Sequence, residues 1–456
     1  MVALLGAACH FPDEWPTTTG TVPLLATCLP DPENATRASC TMFQTRALPV
    51  EVEVTDGVET AVFSSAAVRT VHALPIWGLH AESEWSWTAR AGDEVVQGQI
   101  APVPLPDAVT FDVERTVDGP TSLVDVLLPG GCAGASTSVV LDQQGRVRWY
   151  EELDGEEVAV TTFTEADTIL TMVDDDAIVE LDLTGQEIYR IAGLDLPIHH
   201  DVMRKDDLVY TLLAHTNPAD DGVTYIEDIV VAYDRVGREI WRWDEHERLD
   251  PTQADRWNGQ FWDDEFPGAV DAWHTNGLWV TDGFDVLLSL KGETALIRIT
   301  LGGAITWGLY GNGSAGGALP SSFELVADGG DPTFSHQHHP VLRPDGHVTL
   351  VDNEKNRGLE LALDEAAGTA TFVSDWPMTG VDCNTQSSMF DLPGGGQLLT
   401  CANDRTLIEY DAAGAEVGRM VLSCANGAGL QGTTRGQPLD LWDGTSAAGV
   451  EVRRLE

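Results

Sequence analysis

One hairpin signature recurs six times between about residues 130 and 420, and no other feature of the chain restricts its fold as strongly. It consists of an apolar strand, Asp-x-x-Gly, and a second strand of alternating apolar residues. It reads VLDQQGRVRWY around Asp142 and Gly145, ELDLTGQEIYR around Asp182 and Gly185, and AYDRVGREIWRW around Asp234 and Gly237. Weaker copies are RITLGGAITWGL around Thr300 and Gly303, LALDEAAGTATFV around Asp364 and Gly368, and EYDAAGAEVGRM around Asp411 and Gly414. The Asp side chain bonds the turn backbone and Gly supplies the positive φ, so each copy predicts a β-hairpin. The copies are spaced 40 to 66 residues apart. A four-stranded propeller blade takes about 40 to 50 residues, and the longer spacings hold loop insertions. Six copies therefore predict an all-β, six-bladed β-propeller over residues 107–456. A large β-sandwich would carry similar turns, but it does not explain one signature per blade-sized unit.

Residues 28–106 lie outside this period. VEVEVTDG, TAVFSSA, ESEWSWTARAG and VQGQIAPVPLP are short alternating strands separated by turn residues, the pattern of a small sandwich of fibronectin type III character. The Pro-rich stretch from Pro102 to Pro106 marks its exit. Residues 10–27 read as a linker. Residues 1–9, MVALLGAAC, resemble part of a lipoprotein signal ending at Cys9, although Gly6 stands where such signals carry Leu and no basic residue precedes the apolar stretch. Membrane attachment through a lipidated Cys9 follows as an expectation, with a periplasmic, outer-membrane or cell-surface location.

Setting Cys9 aside leaves Cys28, Cys40, Cys132, Cys383, Cys401 and Cys424. An even number without a CxxC pair reads as three disulfides of an exported protein rather than a zinc site; six buried thiols in a cytosolic protein are the alternative. Cys28 with Cys40 and Cys383 with Cys401 are the local pairings, which leaves Cys132 with Cys424 to staple the terminal blades. The 73 Asp and Glu against 25 Lys and Arg give a formal charge of −48. That balance argues against gripping nucleic acid through phosphates. Nothing in the sequence sets the oligomeric state, a homodimer being one option.

The histidines cluster at one point of successive repeats. His199 and His200 precede DLVYTLLA, His274 precedes FDVLLSLK, and His336, His338 and His339 precede GHVTLVDN; one blade later Gln386 precedes GQLLTCAN. Equivalent positions of successive blades face the same rim of the channel, so these imidazoles should converge. Three uses are open: a metal site of three His with Asp201 or Asp352, a nucleophilic site with one neutral imidazole, or channel histidines satisfied by backbone and water. Trp257, Phe261, Trp262, Trp273 and Trp279 either form an aromatic rim for a ring-shaped substrate or belong to blade cores. The run Asp174 to Asp176 reads as a solvated loop that could hold calcium.

In order along the chain, IHHDV (198–202), AWHTNGL (272–278), VLLSLKG (286–292), FSHQHHP (334–340) and VDNEKNRG (351–358) resemble the bacterial aryl-sulfate sulfotransferase family. That resemblance implies an exported six-bladed propeller behind a small β-sandwich. It also implies transfer of a sulfuryl group from a phenolic sulfate ester to a phenol, through a sulfohistidine and without a nucleotide cofactor (PAPS) or a metal. It places the sulfated histidine at His338, with His274, Asn276 and His200 as its companions. The family's arginine falls on Lys291; Arg343 and Arg357 are candidate replacements, and His336 and His339 join the substrate-binding set. A metal-dependent enzyme using the same histidines, or a non-catalytic binding propeller, is the competing reading.

Overall fold

The computed structural model describes residues 23–116, 125–132, 136–153, 158–254, 261–313, 319–320, 322–427, 429–432, 434–446 and 449–455. The lipoprotein-like segment around Cys9 and Trp257 lie outside them. Six sheets of four or five strands each surround a channel and form a six-bladed β-propeller. Blade I comprises Asp125–Cys132, Thr137–Leu141 and Val147–Glu152; blade II Val158–Phe163, Thr168–Val173, Ala177–Asp182 and Glu187–Ile191. Blade III is Ile198–Lys205, Leu208–Pro218, Thr224–Tyr233 and Glu239–Asp244, and blade IV is Thr275–Val280, Val286–Leu290, Ala295–Ile299 and Ile305–Tyr310. His338–Leu342, His347–Asp352, Arg357–Asp364 and Thr369–Pro377 make blade V; Ser388–Asp391, Gln397–Cys401, Thr406–Tyr410 and Glu416–Cys424 make blade VI.

All six signature turns join the third strand of a blade, counted from the channel, to its fourth. In five of them the Asp oxygen accepts backbone N–H groups across the turn, as Asp142 does from Gln144 and Arg146 at 2.8 Å. Thr300 does the same through its hydroxyl. The six glycines have φ between 68° and 82°, a conformation that costs other residues more. Aromatic side chains of the repeat then tie neighbouring blades together. Trp149 Nε1 donates to Leu183 O, Tyr189 Oη to Asp234 O, and Trp243 Nε1 to Gly303 O, each reaching the turn of the next blade. Central strands such as Thr168–Val173 and Val286–Leu290 are buried throughout because both faces meet other blades. Outer strands such as Glu187–Ile191 keep exposed positions.

The ring closes through the C-terminal part of the chain. Leu430–Gly432 and Gln437–Leu439 pair with Asp125–Cys132 as the innermost strand of blade I. Phe111–Thr116 adds to the outer edge of blade VI. The Cys132–Cys424 disulfide joins blades I and VI, and Cys28–Cys40 and Cys383–Cys401 are the other two, the three pairings expected from spacing. No helix among the described residues is long and apolar enough to cross a membrane.

The small β domain is built on a long hairpin, Ala38–Thr55 with Thr60–Ile76, whose register breaks around Leu48. One half of Ala38–Thr55 pairs with Leu25–Pro30, the other with Trp85–Ala91, and side chains of both halves share one core. Its boundary differs from the expected 28–106. Asp443–Thr445 and Glu451–Leu455 leave the propeller and complete this sheet beside Thr60–Ile76. The domain is fixed to blade I by the fully buried Arg148, which donates to Gly78 O, pairs with Glu59 and stacks on Trp442.

Candidate active site

A cavity of about 930 Å³ opens where the innermost strands converge. Every blade contributes to it: Val158 and Val160 from II, His199 and His200 from III, Asn276 from IV, His338 and His339 from V, Gln386 and Ser387 from VI, and Thr434 with Arg435 from the closing segment of I. The convergence has a local backbone cause. His200, His274, His339 and Gln386 all have φ between 48° and 57°, and the first strands of blades III, IV and V each slip register at this point. Positive φ in bulky residues is strained and is kept where the surrounding fold dictates it. These bulges turn side chains inward that a regular strand would alternate. For that reason His339 lines the cavity together with His338, whereas His336, expected beside them, is half exposed and faces Glu354 at 3.4 Å.

His338 has the most completely specified environment. Asn353 Nδ2 donates to the carbonyl oxygens of Cys383 and Gln386, so the Asn353 carbonyl oxygen must be the atom 2.7 Å from His338 Nδ1. His336 O lies 3.2 Å from the same nitrogen. Two acceptors at Nδ1 require the proton there, which leaves Nε2 with its lone pair. Burial, then the charge of Lys291, pushes the His338 pKa down to about 3, so the ring is neutral at ordinary pH.

Around it stand two further imidazoles with different partners. His274 Nδ1 is 2.6 Å from Asp271 Oδ2, and its backbone N–H donates to Asp271 Oδ1. Burial and then Lys291 lower its pKa to about 3, while burial and the Asp228 charge hold the Asp271 carboxyl well above the usual range. His200 lies edge-on to His274, with ring centres 4.9 Å apart, and its Nδ1 is 2.8 Å from His199 Nδ1. Burial first, then neighbouring imidazoles and Lys291, pushes the His200 pKa well below normal. Burial and the Arg435 charge do the same to His339. Asn276 donates to Gln337 O, tying blade IV to the backbone beside His338.

The cationic groups divide differently from the sequence expectation. Lys291 is buried behind the imidazoles; its backbone N–H donates to His274 O, and burial lowers the pKa of its ammonium. Arg357 does not reach the cavity. It pairs with Asp352 and Asp375 and donates to Asp331 O and Thr333 O, holding a loop of blade V. Arg343 is likewise spent on Glu360 and Asp391. Arg435 is the one lysine or arginine among the described lining residues. Its guanidinium pairs at 2.8 Å with buried Asp201, whose other oxygen accepts from Leu278 N–H. Sequence reading passed over Arg435 because no motif surrounds it; only ring closure brings it to the site. Asn353 lies inside the VDNEKNRG stretch, but its role depends on the turn that brings Cys383 O and Gln386 O to its amide.

Phe261 and Trp262 line the cavity, with the Phe261 ring centre 4.7 Å from His200 and that of Trp262 5.0 Å from His199. Trp273 and Trp279 pack in blade cores instead. Asp174, Asp175 and Asp176 form an exposed turn, as expected, and with Asp264 and Glu265 they line the same cavity. Asp352, one candidate metal ligand, pairs with Arg357 and accepts from Ser335 N–H. Among the described residues no group of three or more His, Cys, Asp or Glu has a metal-holding arrangement.

Among solved structures, a protein of unknown function from Bacteroides caccae is similar at 12% identity and a TM-score of 0.41, covering 69% of this chain and 99% of its own. The periplasmic gluconolactonase of Pseudomonas aeruginosa gives 12%, 0.37, 68% and 98%, and a virginiamycin B lyase of Staphylococcus aureus 10%, 0.35, 68% and 100%. Likeness at this level carries no weight for function. No curated protein matches the chain. The family model described as Arylsulfotransferase (ASST) matches residues 131–373, more than half of the sequence and all of blades II to IV. It spans the His200, His274 and His338 positions whose geometry is given above, and on that match the chain belongs to the arylsulfotransferase family.

Proposed function

We propose that the protein moves a sulfuryl group from a phenolic sulfate ester to a phenol by way of a sulfated His338, with no nucleotide sulfate donor. The observation that carries this reading is the commitment of His338 Nδ1 to two carbonyl oxygens, which leaves Nε2 as a neutral nucleophile beside the cavity. In the first step Nε2 forms a bond to sulfur and the S–O bond of the ester breaks, releasing phenolate. The ring then carries positive charge at Nδ1–H, facing Asn353 Oδ1 and His336 O, and this charge keeps the N–S bond labile. In the second step the phenol oxygen bonds sulfur, the N–S pair returns to Nε2 and the phenol proton passes to a neutral imidazole of the cavity wall.

Sulfuryl transfer resembles phosphoryl transfer in having a loose transition state, so placement and charge dominate over nucleophile strength. Arg435 supplies the planar fork that suits a tetrahedral oxyanion, and Lys291 adds positive potential from behind. His274 and Asn276 complete the donors to the sulfuryl oxygens. Phe261 and Trp262 offer faces to aromatic rings. Three disulfides accord with action in an oxidising, extracytoplasmic compartment, with Cys9 as the attachment point.

The test is release of chromophore from 4-nitrophenyl sulfate. Turnover should need a phenol acceptor, and without one release should stop after a burst of about one equivalent per protein. Metal chelation should leave turnover unchanged. Sustained hydrolysis without acceptor, or loss on chelation restored by a metal ion, would contradict the proposal.

A further inference from the structure

His200 and His274 have like positions in adjacent blades but unlike partners. His200 is backed by His199, with the two Nδ1 atoms 2.8 Å apart, so one must donate to the other. The second nitrogen of His199, Nε2, lies 3.2 Å from Asp228 Oδ1, and neither of these buried atoms has another hydrogen-bond partner among the described residues. The other Asp228 oxygen accepts from Thr275 N–H at 2.7 Å, and the Asp228 backbone N–H donates to Glu245 Oε2. As a carboxylate, Asp228 only accepts, at Oδ2 from Thr275 N–H and at Oδ1 from His199 Nε2. His199 then carries its ring proton on Nε2, and its Nδ1 accepts from His200 Nδ1–H. The direction of the chain is thereby fixed, and His200 Nε2 is left as a lone pair on a ring that lines the cavity.

We propose that His199 is a positioning residue which, anchored by Asp228, makes His200 the general base for the phenol acceptor. His274 has the opposite assignment. A protonated Asp271 donates to its Nδ1 and leaves Nε2–H as a donor toward the sulfuryl oxygens. Two buried carboxylates with opposite protonation thus give two like imidazoles different tasks. In the transfer step the acceptor O–H proton passes to His200 Nε2 as oxygen bonds sulfur, while the N–S electron pair returns to His338. His200 then gives up that proton to the departed phenolate or to water. This inference rests on the sulfohistidine reading above, and its test separates the two.

Asp228→Asn is the informative variant. Thr275 N–H holds the amide oxygen in place, so the new NH₂ must face His199 Nε2 and reverse the chain, leaving His200 with Nε2–H. Transfer from sulfated His338 to phenol itself should fall by about 10²-fold or more. Transfer to 4-nitrophenol, largely ionised near pH 8, should fall far less, which also reports on folding. An equal loss with both acceptors, or undiminished transfer to phenol, would overturn the proposal. Nitrogen-15 NMR of the wild-type protein gives a second reading that needs no variant to fold as a catalyst. His200, assigned by its missing signal in His200→Gln, should appear as the Nδ1–H tautomer, and an Nε2–H tautomer would equally refute the chain. Absence of any His338 label in the wild type would instead sink the sulfotransfer mechanism and leave the tautomer result standing.

Discussion

His338 shows how much chemistry one side chain takes from its neighbours. Burial and Lys291 lower its pKa to about 3, so acid down to about pH 5 does not protonate it. An imidazole titrating at its ordinary value of about 6.5 would lose most of its neutral form by then. Labelling by 4-nitrophenyl sulfate should therefore change less than about 3-fold between pH 8 and pH 5 in stopped-flow experiments, where an ordinary imidazole would slow by about 30-fold. The same shift has a cost in stability, with a definite sign. Between about 6.5 and about 3 the unfolded chain takes up protons that His274 and His338 refuse in the fold. Unfolding should become easier as pH drops through that interval, by about 1.4 kcal/mol per pH unit for each of the two. Asn353 supplies the tautomer: Asn353→Ala should slow labelling by about 10²-fold while leaving the label on His338, as read by quenched-flow mass spectrometry. An unchanged rate would show that His336 O alone holds the proton.

Elements explain what could be read from the sequence and what could not. Asp142 and Gly145, and their five counterparts, carry the turn in their own side chains and φ angles, so the hairpins and their number were legible. The cavity wall was not, because His200, His274 and His339 owe their direction to bulges set by register between strands. Of the two flanking histidines of FSHQHHP placed in the substrate-binding set, His339 lines the cavity and His336 does not. Closure of the ring is likewise a long-range event. Removing the Cys132–Cys424 link with the double substitution Cys132→Ser and Cys424→Ser should lower the unfolding free energy by about 2–5 kcal/mol in denaturant titrations, with blades I and VI the first to lose amide protection. Unchanged stability would mean that the innermost strand of blade I closes the ring unaided.

At the scale of the molecule, charge opposes the task. The chain bears −48, and Asp174, Asp175, Asp176, Asp264 and Glu265 line the cavity that an aryl sulfate must enter. Arg435 and Lys291 offset this only near the histidines. Screening shortens the reach of the outer carboxylates before it weakens contacts inside the cavity. Steady-state kcat/KM for 4-nitrophenyl sulfate should accordingly rise several-fold as sodium chloride goes from about 10 mM to about 0.5 M, with KM for an uncharged phenol unchanged. A fall would mean that the inner cations, not the rim, govern entry. Composition disclosed the sign of the field, but its concentration at the mouth appears only when loops of blades II and III meet there.

The account stands or falls on where the sulfuryl group rests between donor and acceptor. Protein mixed with excess 4-nitrophenyl sulfate without acceptor, quenched at mildly alkaline pH and digested for mass spectrometry, should carry one added sulfuryl group, on His338. His338→Ala should carry none and should not turn over, while His200→Ala should carry it still, since in that variant only the acceptor's base is missing. A label on any other residue, or turnover by His338→Ala, would contradict the account.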